Sequence, residues 1–227
     1  MWSRLGKLLW RFAWLALLVP ALLILSLRWI DPPTSSFILQ HNYGAWKSGN
    51  DFALHSWSEY ESISKDMALA VIAAEDQRFP LHIGLDTKEI SRALESSAAG
   101  RRGASTITQQ TAKNLFLWPG RSYMRKAMEA VLAITMELLL SKQRILEIYL
   151  NMAQTGKGIF GVTDAATTYF KKSPAKLNKF EAARIAAVLP NPVKYSVTSP
   201  SRYVTGRQRW ILQQMKQLGG TSYLEQF

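Results

Sequence analysis

Glu75-Asp76-Gln77-Arg78-Phe79 closes an alanine-rich apolar run, and Glu129 lies on a later helical pattern; together they bracket the stretch that decides how this chain reads. Between them runs Gly103-Ala104-Ser105-Thr106-Ile107-Thr108-Gln109-Gln110-Thr111-Ala112-Lys113-Asn114. This segment mixes small hydroxylated residues, paired amides and a lysine, and it has no clean apolar face. A carboxylate stands at each end, and cations lie between. Such a combination suits a site for a polar, anionic substrate.

Helical patterns extend outward from this stretch. Ser64 is placed to cap a helix through Met67, Ala68, Leu69, Val71, Ile72 and Ala73, apolar nearly all round and so expected at the centre of the fold. Another helix is predicted over 87–99, closed by the basic loop Gly100-Arg101-Arg102-Gly103. Pro119-Gly120 turns the chain into a long helix over about 122–140, and Ser141 caps the next, through Ile145, Leu146, Ile148, Tyr149 and Leu150. A glycine-rich turn at 156–158 precedes a helix over 162–170. Asn178 with Glu181 has the form of a capping box for an alanine-rich helix that Pro190-Asn191-Pro192 stops. A last amphipathic helix covers about 201–218 and ends at Gly219-Gly220. No internal repeat and no alternating βαβ pattern is present, so the region 64–227 is expected to be one mainly α domain.

The N-terminus has a different character. Arg4, Lys7 and Arg11 precede an apolar run that predicts a transmembrane signal-anchor helix over 12–30, after a cytoplasmic segment 1–11. Trp10 and Trp29 suit the two headgroup belts, and Arg28 can snorkel. The run is long for a cleaved signal peptide, and no small-x-small site follows it. Three cations before the span and one after it put the N-terminus in the cytoplasm and the rest of the chain outside the inner membrane. A connector, 31–63, follows. It opens with Asp31-Pro32-Pro33 as an extended exit, is turn-rich around 43–51, and has room for a short strand.

The 227 residues, 48% of them hydrophobic, can bury a real core. A formal charge of +12 and a pI near 10.0 call for anionic partners. The absence of cysteine excludes a disulfide framework and a Cys-based zinc site. His41, His55 and His82 have no metal-ligand spacing, and His82 reads as structural. There is no Walker-A loop, no GxGxxG and no GxSxG elbow.

Glu75 is the first candidate for chemistry, as a carboxylate beside an apolar helix and so a candidate base. Asp76 reads as a cap or ion-pair partner. Glu129 is the second, and its plain alternative is an i,i+4 ion pair with Arg125. Glu137 falls on the same broad face. Arg78, Lys113, Arg121 and Arg125, with Ser105, Thr106, Gln109, Gln110 and Asn114 as neutral donors, can together hold a diphosphate.

These residues resemble, in order, the five motifs of the peptidoglycan glycosyltransferase family, which also supplies the N-terminal module of class A penicillin-binding proteins. Residues 75–86 resemble the first motif and 103–114 the second. Arg125-Lys126 with Glu129 resembles the third, residues 145–151 the fourth, and 158–172 the fifth. The short chain, single anchor and lack of a following transpeptidase module point to a monofunctional member.

The resemblance implies a mainly α, lysozyme-like fold and the polymerisation of lipid II into β-1,4 glycan strands, with undecaprenyl diphosphate released and inversion at the anomeric carbon. By motif match, Glu75 is the general base and Glu129 lies near the donor diphosphate. Arg78, Ser105, Gln109, Gln110, Lys113, Asn114, Arg121 and Arg125 fall on substrate-contacting positions. No cofactor is required by the motifs, and a divalent cation (Mg2+ or Mn2+) is compatible with the position beside Glu129. The implied partners are lipid II, the growing strand, the bilayer and other cell-wall synthesis or division proteins, with no nucleic acid.

One departure stands out. Where the family it resembles commonly has an acidic or aromatic pair before the glycine, this chain has Gln154-Thr155 before Gly156. The rival reading is a membrane-anchored lysozyme-like hydrolase or lytic transglycosylase acting on finished glycan, which needs no diphosphate-binding cations. A non-enzymatic tethered binder of anionic lipid or nucleic acid would explain the charge but not the two glutamates.

Overall fold

In the computed structural model the described residues are 4–89, 91, 105–120 and 122–227; the side chains of 4, 5, 8, 9 and 12–17 are outside the description. Among the described residues there are nine α-helices and one small sheet. The mainly helical expectation holds.

The helix α3, Lys65–Glu75, is the hub. Every residue from Met67 to Ala73 is buried, as its unbroken apolar surface requires. Each of its larger side chains contributes roughly 1.5–3 kcal/mol by leaving water. It packs between α8, Lys179–Val188, and α9, Arg202–Gln217. The buried alanines of α8 (Ala182, Ala183, Ala186 and Ala187) let α3 approach closely. Ser64 precedes α3 but does not cap it: its hydroxyl donates to the Leu177 carbonyl at 2.7 Å and ties the helix start to the segment before α8. The expected capping box at Asn178 and Glu181 is present, as is the Ser141 cap.

A second layer is built on α4, Ile107–Phe116, which packs against α5, Tyr123–Leu139, and α6, Lys142–Met152. The sequence did not announce α4, because its buried positions include Thr108, Gln109, Thr111 and Asn114. The first three find partners within the protein. The Thr108 hydroxyl donates to Glu137 at 2.6 Å, Thr111 donates back to the Ile107 carbonyl, and Gln109 closes a capping box with Thr106. Glu137, which also accepts from Lys142 at 2.7 Å, is therefore a tie between α4, α5 and α6.

The connector contains a helix where turns were expected. This is α2, Ser36–Ser48, capped by Ser35 and ended by Gly49 at φ +68°. The expected short strand is β1, Leu54–His55. It pairs in parallel with β3, Ile159–Phe160, which pairs antiparallel with β2, Gln154–Gly156. The sheet leads into α7, Gly161–Phe170.

The N-terminal helix α1 spans Arg4–Ser26, so it begins earlier and ends earlier than the expected 12–30 span. Turns at 27–29 follow it, and it packs on α5. Among the described residues no helix is long and apolar enough to cross a membrane, and the transmembrane expectation is not confirmed. The side chains of 12–17 fall outside the description, as do 90 and most of the predicted helix over 87–99, the loop 100–103, and Arg121.

Candidate active site

Glu75 is the last residue of α3. A helix C-terminus carries partial negative charge, so a carboxylate there depends on partners from elsewhere. Two are present. Gln110 of α4 donates to Oε2 at 3.0 Å, and the guanidinium of Arg207 on α9 lies 3.2 Å from Oε1. Arg207 also donates to the Ala74 carbonyl at 3.2 Å, which fixes it against the end of α3. Behind Gln110, the Tyr149 hydroxyl donates to its amide oxygen at 3.1 Å. Burial, and then the charges of Glu75 and Asp76, push the Tyr149 phenol well above its ordinary range, so it stays a neutral donor. That bond fixes the amide orientation of Gln110 and turns its NH2 toward Glu75.

Asp76 points away, as expected. Its carboxylate accepts the backbone N–H of Ile107 at 2.9 Å, at the start of α4, and pairs with His82 at 3.0 Å. Arg78 pairs with Asp86 at 3.2 Å.

Glu129 is 2% exposed, and both of its oxygens are engaged. Arg125 reaches Oε2 at 2.9 Å and Lys126 reaches Oε1 at 2.6 Å, so the plain i,i+4 ion pair is present. Lys126 also donates to the Ser105 hydroxyl at 2.8 Å, joining the start of α4 to α5. Lys113 lies above the Phe37 ring at 5.6 Å. Burial lowers the pKa of its ammonium. Glu129 counters that, Arg125 and Lys126 add to it, and Glu75 counters it more weakly. Lys113 thus feels both glutamates, yet among the described residues it forms no ion pair with either. Three cations around one paired carboxylate leave local positive charge for an anionic group.

The sequence-predicted residues divide accordingly. Glu75 and Gln110 meet directly. Ser105, Lys113, Arg125 and Glu129 form the cationic cluster. Asn114, buried, follows Gln110 by one turn on α4. Gln109 is instead engaged in the capping box, where its Oε1 accepts the Thr106 N–H at 3.0 Å. Arg78 is in its pair with Asp86. Arg121 lies outside the described residues.

Two contributors were not singled out from sequence as site residues, Tyr149 and Arg207, while Lys126 entered only as part of the resemblance to the third motif. Arg207 carries no local signal, since its partner is 132 residues away. It also lines an open groove with Arg202, Tyr203, Gly206 and Trp210. A divalent cation at Glu129 would find a single carboxylate with both oxygens already ion-paired, so the residues present do not make a cage for one.

The Transglycosylase family model matches residues 47–216. The biosynthetic peptidoglycan transglycosylase of Pseudomonas putida (strain W619) is 49% identical over 207 residues, covering 90% of this chain and 88% of that protein. The protein of the same name from Escherichia coli O17:K52:H18 (strain UMN026 / ExPEC) is 52% identical over 199 residues, 86% of this chain and 82% of its own. The one from Escherichia coli (strain K12 / DH10B) matches to the same extent.

Proposed function

The chain belongs to the transglycosylase family, and from that premise we propose how its residues act as a peptidoglycan glycosyltransferase of cell-wall synthesis. Lipid II is the acceptor, and the growing glycan strand on its diphosphate lipid is the donor. Glu75 takes the proton of the acceptor 4-hydroxyl. The oxygen attacks the donor's anomeric carbon from the face opposite the diphosphate. A β-1,4 bond forms, the bond to the diphosphate breaks, and undecaprenyl diphosphate leaves carrying the electron pair. Lys113, Arg125 and Lys126 neutralise that leaving group, while Glu129 holds Arg125 and Lys126 in place.

The observation that carries this reading is Glu75 held by Gln110 on one oxygen and by Arg207 on the other, within electrostatic reach of Lys113. A general base contributes roughly 10²- to 10⁴-fold to rate. Charge stabilisation of the leaving group is a separate contribution. A hydrolase acting on finished glycan would have no use for the cationic cluster, and the family relation does not favour it.

The apolar run of 12–30 anchors the chain in the bacterial inner membrane, with the N-terminus cytoplasmic and the lysozyme-like catalytic region 64–227 periplasmic. Leu18, Val19, Leu22 and Leu23 on α1 are exposed apolar residues that lipid would cover. Anchoring keeps the site at the depth of the lipid-linked diphosphate and makes encounter local. The test is Glu75→Gln in purified protein given labelled lipid II. Polymerisation is expected to fall by at least 10²-fold with the fold intact; near wild-type polymerisation would overturn the assignment.

A further inference from the structure

The segment that leaves α1 is tied to α6 by one arginine. Arg144 of α6 donates from Nε to the Leu27 carbonyl at 2.7 Å and from one terminal nitrogen to the Ile30 carbonyl at 3.2 Å and Asp31 Oδ1 at 2.7 Å. Its other terminal nitrogen donates to Glu147 Oε2 at 2.9 Å, and the guanidinium lies 5.3 Å from the Trp57 ring. Asp31, Glu59 and Glu147 converge there, with one carboxylate oxygen from each within 4.8 Å of the others. When ionised they carry three negative charges against a single guanidinium.

Two further observations separate this cluster from an ordinary acidic surface. The Glu147 side chain is only 8% exposed, yet its Oε1 is buried with no hydrogen-bond partner. A buried carboxylate oxygen left without a partner is costly. Glu59 is exposed, and its carboxylate is engaged by no described residue.

We propose that Asp31, Glu59 and Glu147 form a binding site for a hard divalent cation, calcium foremost, at the junction between the N-terminal segment and α6. All three donors are oxygens, as such an ion prefers. Calcium accepts carboxylate oxygens at about 2.3–2.6 Å in flexible geometry, whereas magnesium at about 2.0–2.1 Å demands near-ideal octahedral geometry, which three carboxylates from separate segments do not impose. Two positive charges balance the excess of two negative ones, and Oε1 of Glu147 gains a partner. The ion would join three segments distant in sequence: the exit from α1, the loop before the turn at 60–62, and α6, which carries Tyr149. This site is separate from the cationic cluster at Glu129.

The experiment is calorimetric titration of the full chain in detergent, stripped with chelator, with CaCl2 alone and no lipid substrate, alongside thermal melts. One saturable binding event and a rise in melting temperature are expected. MgCl2 should bind more weakly. Glu59→Gln should weaken calcium binding at least 10-fold and abolish the calcium-dependent rise, with its metal-free melting temperature at the wild-type value. No saturable heat, or a Glu59→Gln protein that titrates like wild type, overturns the proposal. Because no substrate is present, this outcome is independent of the roles given to Glu75 and Glu129.

Discussion

The guanidinium of Arg207 lies 3.2 Å from Oε1 of Glu75, joining the last long helix to the end of the central one across 132 residues of chain. Glu75 sits at the terminus of α3, where its side chain would otherwise sweep several rotamers. With Gln110 on the other oxygen, the carboxylate is held from two sides. Arg207→Ala should therefore lower kcat by roughly 10²-fold, the scale of loss from misplacing a reacting group by about an ångström. Arg207→Lys should recover part of it, because an ammonium keeps the charge but not the second contact to the Ala74 carbonyl. A steady-state lipid II assay checks this. Full activity in Arg207→Ala would show that Gln110 alone positions the base.

Lys113 supplies a prediction with a pH signature. Its ammonium is desolvated, and its pKa is lowered, so it loses its proton at a lower pH than a free lysine. A diphosphate beside it favours the protonated form. Donor affinity should thus fall as pH rises, starting below the usual lysine range. Lys113→Arg, which keeps its charge throughout, should abolish that alkaline loss. Lys113→Ala should raise KM about 10- to 100-fold at neutral pH, the equivalent of one charge-assisted hydrogen bond. KM measured against pH for the three proteins decides it; a flat wild-type profile would remove Lys113 from the binding site.

The sequence spoke clearly where local chemistry sets the structure. Ser141, Asn178 and Glu181 are caps that act within three residues, and α3 is apolar on every side, so its position at the centre follows from its own composition. It was silent in two circumstances. Helix α4 buries Thr108, Gln109 and Thr111, which blurs the amphipathic pattern, because the partners that satisfy them belong partly to α5. Helix α2 reads as turns because of Gly44 and Gly49, although Gly49 is the residue that ends it. In the site, the glutamates and Lys113 were legible as charge in a polar segment. Arg207 and Tyr149 were not, since their contributions depend on helix packing between remote segments.

Asp76 adjoins the proposed base, but its work is structural. One oxygen accepts the Ile107 N–H, an otherwise unpaired donor at the start of α4, and both lie 3.0 Å from His82 Nε2. Asp76→Ala leaves that N–H and the half-satisfied imidazole without their acceptor, and should cost about 1–3 kcal/mol. For a chain of this size that lowers the melting temperature by several degrees. Activity should fall in parallel, since α4 carries Gln110 and Lys113. Thermal melts in detergent test it; an unchanged melting temperature with lost activity would mean that Asp76 acts in the chemistry itself.

The packing around Gly156, the glycine that follows Gln154-Thr155, can be exposed by a double substitution. The Tyr169 hydroxyl donates to the Thr155 carbonyl at 3.2 Å and stands directly over Gly156, where a Cβ would collide with it. Thr155 is itself 1% exposed, so the strand β2 has no room to shift outward without uncovering its neighbours. Gly156→Ala should destabilise by about 1–3 kcal/mol, as overpacking of a filled interior does. Tyr169→Phe removes the colliding oxygen and loses only one hydrogen bond, worth about 1 kcal/mol. In the double variant the two penalties should not add, because the alanine methyl then meets a ring carbon instead of the hydroxyl. A denaturation cycle over the four proteins measures this coupling. Strict additivity would show that the backbone at Gly156, and not the Tyr169 hydroxyl, sets the requirement for glycine.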